Sequence, residues 1–187
     1  MDTLRPSSRS PRIRVLPGGH LLIAATIVFG ILAAHTGHNV LAALVALLLA
    51  FQAVSGFRSF GVLRGARMSV RVPHAVDAGA VAFAEVLVSR PGRRRVARSL
   101  EVEAIVEGEA LDVAGGYVVR LAPGATARLR VPLHGRARGV ARIVGWRVSS
   151  AYPCDLFRRT FRFPADHEVV VRPPVRAATP PPAERVP

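Results

Sequence analysis

Two apolar runs, residues 21–34 and 40–54, follow one another near the start of the chain, separated only by His35-Thr36-Gly37-His38-Asn39. No Asp, Glu, Arg or Lys occurs between Pro17 and Arg58, and His20, His35 and His38 mark the edges of the runs. A helix on the surface of a soluble domain keeps a polar stripe toward water; one that is apolar on every side must hide in lipid or inside a large core. The rest of the chain is too small to supply such a core. A bilayer core needs roughly 20 residues of helix, with a range of about 17–25. Counted with their weakly polar ends, 18–36 and 38–57 reach that length, and Thr36, Asn39, Gln52 and Ser55 are expected near the interfaces. Residues 18–57 are therefore expected as a transmembrane helical hairpin.

Two other readings compete with it. A buried hairpin of a soluble protein would pass the same composition test, but the runs are long for that role. Arg5, Arg9, Arg12 and Arg14 resemble the basic start of a secretory signal. Against a signal stand the second apolar run and Leu32-Ala33-Ala34-His35, a poor small-x-small cleavage site. Those arginines precede the hairpin, Arg58, Arg64 and Arg67 follow it, and the turn has no Arg or Lys. Basic residues flanking a span stay on the cytoplasmic side. Both termini are thus expected in the cytoplasm, with only the turn reaching the far side.

Around the hairpin, residues 1–17 read as a basic disordered arm and 58–67 as a basic linker. Residues 173–187, rich in proline, cannot build a core and read as a disordered or polyproline-like tail. Between them, 68–172 has the size of one ordinary domain. Here the pattern alternates. Leu100, Val102, Ala104 and Val106 fall on one face, with Glu101, Glu103 and Glu107 on the other and Ile105 the exception. Leu129 and Val131 oppose Arg128 and Arg130; Phe157, Phe161 and Phe163 oppose Arg158, Thr160 and Arg162. Such alternation marks half-buried antiparallel strands. Further strands are expected at 68–72, 81–89, 116–121, 140–148 and 168–172, separated by turn signals such as Asp77-Ala78-Gly79, Pro91-Gly92 and Pro123-Gly124. Short strands at this spacing, without intervening helices, predict an all-β immunoglobulin-like sandwich with Trp146 as a core anchor.

Catalytic patterns are sparse. His74, His134 and His167 stand in separate turns or strand ends without metal-ligand spacing. Cys154, the single cysteine, has no histidine near it in sequence and reads as a small, partly buried thiol. Gly115-Gly116 has no following helix or lysine that would make a phosphate loop. No catalytic, cofactor or metal residue is expected. The formal charge is +14, and the sharpest surface feature is Arg93-Arg94-Arg95-Val96-Ala97-Arg98. It follows Pro91-Gly92 and precedes a strand, so it is expected to cap a hairpin, as either a solvated turn or a contact. Arg93, Arg94, Arg95 and Arg98 would then meet anionic lipid or an acidic protein. The alternative is nucleic acid, drawn by net charge, although no exposed aromatics interleave the arginines.

Three stretches carry a resemblance. Thr36-Gly37-His38-Asn39-Val40-Leu41 is similar to the Gly-x-Asn-Leu-rich start of the second span in bacterial membrane proteins catalogued as domain of unknown function 58. Arg138-Gly139-Val140-Ala141-Arg142-Ile143 resembles that family's Arg-Gly-x-Tyr segment. Tyr152, Pro153, Cys154, Asp155, Leu156 and Phe157, continuing into Arg158-Arg159, resemble its Pro-Phe-Gly-Leu-Phe segment. Motif order fits from Leu21 to about Pro174. Ala141 stands where the family has an aromatic, Cys154 where it has Phe, and Asp155 where it has Gly. Asp tolerates a left-handed turn better than most residues. The family usually continues into a von Willebrand factor A-like domain with a metal-ion-dependent adhesion site, which this chain is expected to lack.

The resemblance implies a protein of the bacterial inner membrane, a tethered partner of a MoxR-type AAA ATPase or of a von Willebrand factor A-like protein, and establishes no enzymatic activity. In the resulting expectation, a membrane-anchored interaction protein uses Arg93, Arg94, Arg95 and Arg98 as its charged contact. Residues 152–157 would form a structural corner or docking loop.

Overall fold

The computed structural model describes residues 2–7, 12–59, 65–90 and 96–174. Helices α1 (Pro17–Thr36) and α2 (Asn39–Ser59) form a hairpin. Each is about 30 Å long at 1.5 Å per residue, close to the thickness of a bilayer core. The joint is tighter than the expected five-residue turn. His35 and Thr36 continue α1, and the Thr36 hydroxyl donates to the Leu32 carbonyl at 2.8 Å. Gly37 then closes the helix in the left-handed region, φ +66°, its amide donating to the Ala33 carbonyl at 3.0 Å.

Each helix meets the other along one face and turns large apolar side chains outward elsewhere. Leu21 is 74% exposed, Ile31 66%, Leu47 66% and Phe57 69%. Both helices are long and apolar enough to cross a membrane. Gln52, expected near an interface, instead lies inside the hairpin. Its Nε2 donates to Thr26 Oγ1 at 2.7 Å, and the Thr26 hydroxyl donates in turn to the Leu22 carbonyl. Between two apolar helices an amide gains more from a neighbouring hydroxyl than from lipid. Such interhelical bonds average about 0.6 kcal/mol and reach about 1.7. A double-mutant cycle of Gln52→Leu and Thr26→Val in mixed micelles should give a coupling within that range.

The remaining elements are strands: β1 (Asp2–Leu4), β2 (Arg12–Val15), β3 (Arg67–Arg71), β4 (Ala75–Asp77), β5 (Val81–Ser89), β6 (Ala97–Glu107), β7 (Leu111–Val113), β8 (Gly116–Leu121), β9 (Thr126–Gly135), β10 (Gly139–Ser150) and β11 (Phe157–Arg172). One sheet has the order β1-β3-β5-β9-β7; the other runs β2-β11-β10-β6-β8, with β4 parallel to the end of β11. All other pairings among the described residues are antiparallel. The inward faces share one core. Met68, Val86, Val131 and Leu133 of the first sheet and Leu100, Val102, Trp146 and Phe163 of the second are at most 1% exposed. Fully burying such a side chain is worth about 1.5–3 kcal/mol, so this shared layer holds the sheets together.

Three expectations are corrected. The N-terminal arm is not wholly disordered, because β1 pairs with β3 and β2 with β11, and backbone pairing satisfies its amides. The basic run does not cap a hairpin: β5 belongs to the first sheet and β6 to the second, so the connection crosses between sheets. The strands expected at 157–163 and 168–172 are one, β11. Pro164 is tolerated because it falls between the stretches paired with β2 and β4, opposite a register shift in β10 at Ile143/Gly145.

Candidate functional site

The hairpin is seated on the start of β11. Val15 pairs with Phe157, Arg14 with Arg158, Ile13 with Arg159 and Arg12 with Thr160. The Leu16 amide then donates to the Leu156 carbonyl at 3.0 Å, and α1 begins at Pro17. The fixed φ of proline suits a first helical position, so strand passes into helix with a single linking residue. Gly19 lies buried in the first turn. A Cβ there would stand 2.5 Å from the Leu156 carbonyl oxygen and 2.8 Å from Val15 Cγ1, closer than atoms allow. Only glycine lets the helix settle this near the loop.

The returning helix is tied to the same strand. Ser59, the last residue of α2, is 2% exposed; its hydroxyl donates to the Gly56 carbonyl and accepts from Arg159 Nε at 2.9 Å. Arg159 is itself 4% exposed, and burial holds its guanidinium below the ordinary arginine range. It remains a cation, since that range begins so high. Leaving a buried charged donor unsatisfied costs several times what a neutral hydrogen bond contributes. This contact therefore ties the last described turn of α2 to β11.

The loop between β10 and β11 carries the family-like residues. Leu156 is buried, Tyr152, Pro153 and Phe157 are partly buried, and Cys154 and Asp155 are exposed. The expected partly buried thiol is corrected: Cys154 sits at the tip of the turn, facing away from the core. Asp155 adopts φ +53°, the left-handed conformation expected of the position, and its amide donates to the Ala151 carbonyl at 2.9 Å. The Tyr152 ring lies under the Arg98 guanidinium, 5.4 Å from centroid to Cζ, and the Ser150 hydroxyl donates to the Arg98 carbonyl. The structure thus joins two candidates that are distant in sequence, Arg98 and the loop. Arg93, Arg94 and Arg95 lie outside the described residues.

No protein-family model matches this chain, nor does any curated protein. Arg12, Arg14, Arg58 and Arg98 are exposed at the end of the β-domain that meets the hairpin, and Arg158 pairs with Glu101 beside them at 3.1 Å. The ends of β5 and β6 that flank the basic run are at this end too: Ala97 pairs with Leu121, Thr126 with Ser89, and the Gly124 amide donates to the Arg90 carbonyl. Four exposed arginines thus stand toward the end that meets the hairpin. Among the described residues no group of three or more His, Cys, Asp and Glu forms a metal-binding cluster.

Sequence reasoning missed Arg159 and Gly19. The signal for Arg159 was present: it shares parity with Phe157, Phe161 and Phe163, so an arginine stands on the inward face of an apolar strand. Gly19 gave none, because its role depends on a carbonyl 137 positions away.

Proposed function

We propose that this chain is a non-enzymatic, membrane-anchored interaction protein whose hairpin spans the bacterial inner membrane and holds the β-domain against the cytoplasmic surface. The carrying observation is a hairpin with large apolar side chains turned outward and arginines gathered at one end only. Lipid accounts for the first, and anionic headgroups with cytoplasmic retention account for the second. The short β2–α1 link and the Arg159–Ser59 bond favour a domain held rigidly at the bilayer over one on a slack tether. The two facing sheets agree with an immunoglobulin-like sandwich. The family resemblance supplies the candidate partner, a MoxR-type AAA ATPase or a von Willebrand factor A-like protein.

Alkaline carbonate extraction and a topology reporter test this reading together. The chain should stay in the pellet. A reporter after Pro187 should be active only as a cytoplasmic fusion, and one inserted between Gly37 and His38 only as an exported one. Release into the supernatant, or an exported C-terminus, overturns the proposal.

A further inference from the structure

The outward faces of the two sheets differ in charge. On the second, three arginines are paired with separate acids, Arg142 with Asp166 at 2.6 Å, Arg147 with Glu103 at 3.4 Å and Arg158 with Glu101, as Arg136 is with Asp112 at the β7 edge of the first. On the first, Glu85 stands between Arg71 of β3 and Arg130 of β9, and a third arginine, Arg128, donates to it at 2.7 Å. These cations hold the Glu85 carboxyl below its ordinary range. Three guanidiniums around one carboxylate leave this face positive.

Next to that cluster the face turns apolar. Val81 and Phe83 are about half exposed, and Phe83 pairs with Pro132. Because β3 ends at Arg71, opposite Glu85, no strand among the described residues flanks 81–84 on that side. An open groove remains there, lined by Arg71, Pro73, His74, Phe83, Glu85 and His167.

We propose that this groove docks an extended acidic segment of a partner protein, with an apolar side chain against Phe83, one carboxylate on Arg71 at its wall and another on Arg130, across Glu85 on β9. Extended peptides commonly bind beside open strand edges, where alternate side chains give specificity. Other occupants fit less well. A second copy of this chain carries the same +14 charge. Headgroups reach this face less well: at ~3.3 Å per residue, Phe83 lies about 20 Å along β5 from Ser89 and the position of Arg71 and Arg130, opposite Glu85, about 13 Å, beyond the ~8 Å screening length. A nucleic acid can stack a base on Phe83 but brings no apolar side chain to cover Val81 beside it.

This proposal rests on the interaction reading above and names the partner's chemistry. The test uses the full chain in phosphatidylcholine nanodiscs and the fluorescein-labelled peptide Glu-Asp-Glu-Phe-Val-Ile-Glu-Asp. Binding should saturate and weaken with salt. It should fall about tenfold or more in Arg71→Glu/Arg130→Glu and also in Phe83→Ser, roughly 1.4 kcal/mol per decade. Arg162→Glu on the other sheet should leave it unchanged. Absence of saturable binding, equal affinity in all variants, or tighter binding of a single-stranded oligonucleotide to the same face overturns the proposal. If the peptide fails while the chain still resists carbonate extraction, the groove assignment falls and the membrane anchor stands.

Discussion

Leu49→Arg should drive the protein out of the carbonate-resistant membrane fraction. Leu49 is in the middle of α2 and 54% exposed. Arginine at the centre of a membrane-spanning helix costs about 2.5–3.5 kcal/mol on insertion scales, on the order of a hundredfold in the insertion equilibrium. On a surface facing water the same change would fall within about 0.5 kcal/mol. The sign of the experiment therefore separates the two environments cleanly. Val119→Arg is the internal control, because Val119 is 72% exposed on β8. It should leave both membrane retention and folding as they are. Equal behaviour of the two variants would show that Leu49 faces water and would remove the membrane anchor from the proposed function.

The contrast between these two positions also explains what could be read from the sequence. The hairpin was legible because forty uncharged positions admit few other solutions, and its bounds shifted only where Thr36 bonds back to Leu32. The long strands were legible because alternation survives at 81–89, 97–107 and 126–135. Strands β4 and β7, at three residues each, are too short to show a period. Arg12-Ile13-Arg14-Val15 does alternate, but four basic residues ahead of an apolar run look the same whether they pair or not. Pro164 hid the continuity of β11, since nothing in sequence shows that the strand beside it stops on either side.

The candidate site was legible in its parts and not in its assembly. Asp155 was expected in a left-handed turn and adopts one. That Leu156 of the same loop offers its carbonyl to Leu16 depends on β2 pairing with β11, a contact between the two ends of the chain. In sequence the connection bearing Arg93, Arg94 and Arg95 reads as a hairpin, because turn residues mark a reversal without saying which sheet the chain enters next. The seat of the hairpin is thus a long-range product of topology, and local pattern cannot supply it.

Gly19→Val should destabilise that seat, while Gly18→Val, one residue earlier, should not. An added Cβ at Gly18 meets nothing within 4 Å; at Gly19 it meets the Leu156 carbonyl oxygen at 2.5 Å. The obstruction is backbone in a paired strand end, so no side-chain rotation relieves it. Overpacking of this kind costs about 1–3 kcal/mol. For a domain of this size that lowers the melting temperature by roughly 5–15 °C. Trp146 is the single tryptophan and fully buried, so its emission reports β-domain unfolding directly. Ser59→Ala should also destabilise, by about 1–3 kcal/mol, by removing the serine acceptor from the buried Arg159 guanidinium. Both changes unseat the same contact between hairpin and β11, so in combination they should cost less than their sum. Equal melting of the Gly18 and Gly19 variants, or strict additivity of Gly19→Val with Ser59→Ala, would mean that hairpin and β-domain are independent bodies. A rigid seat at the membrane surface would then have no basis.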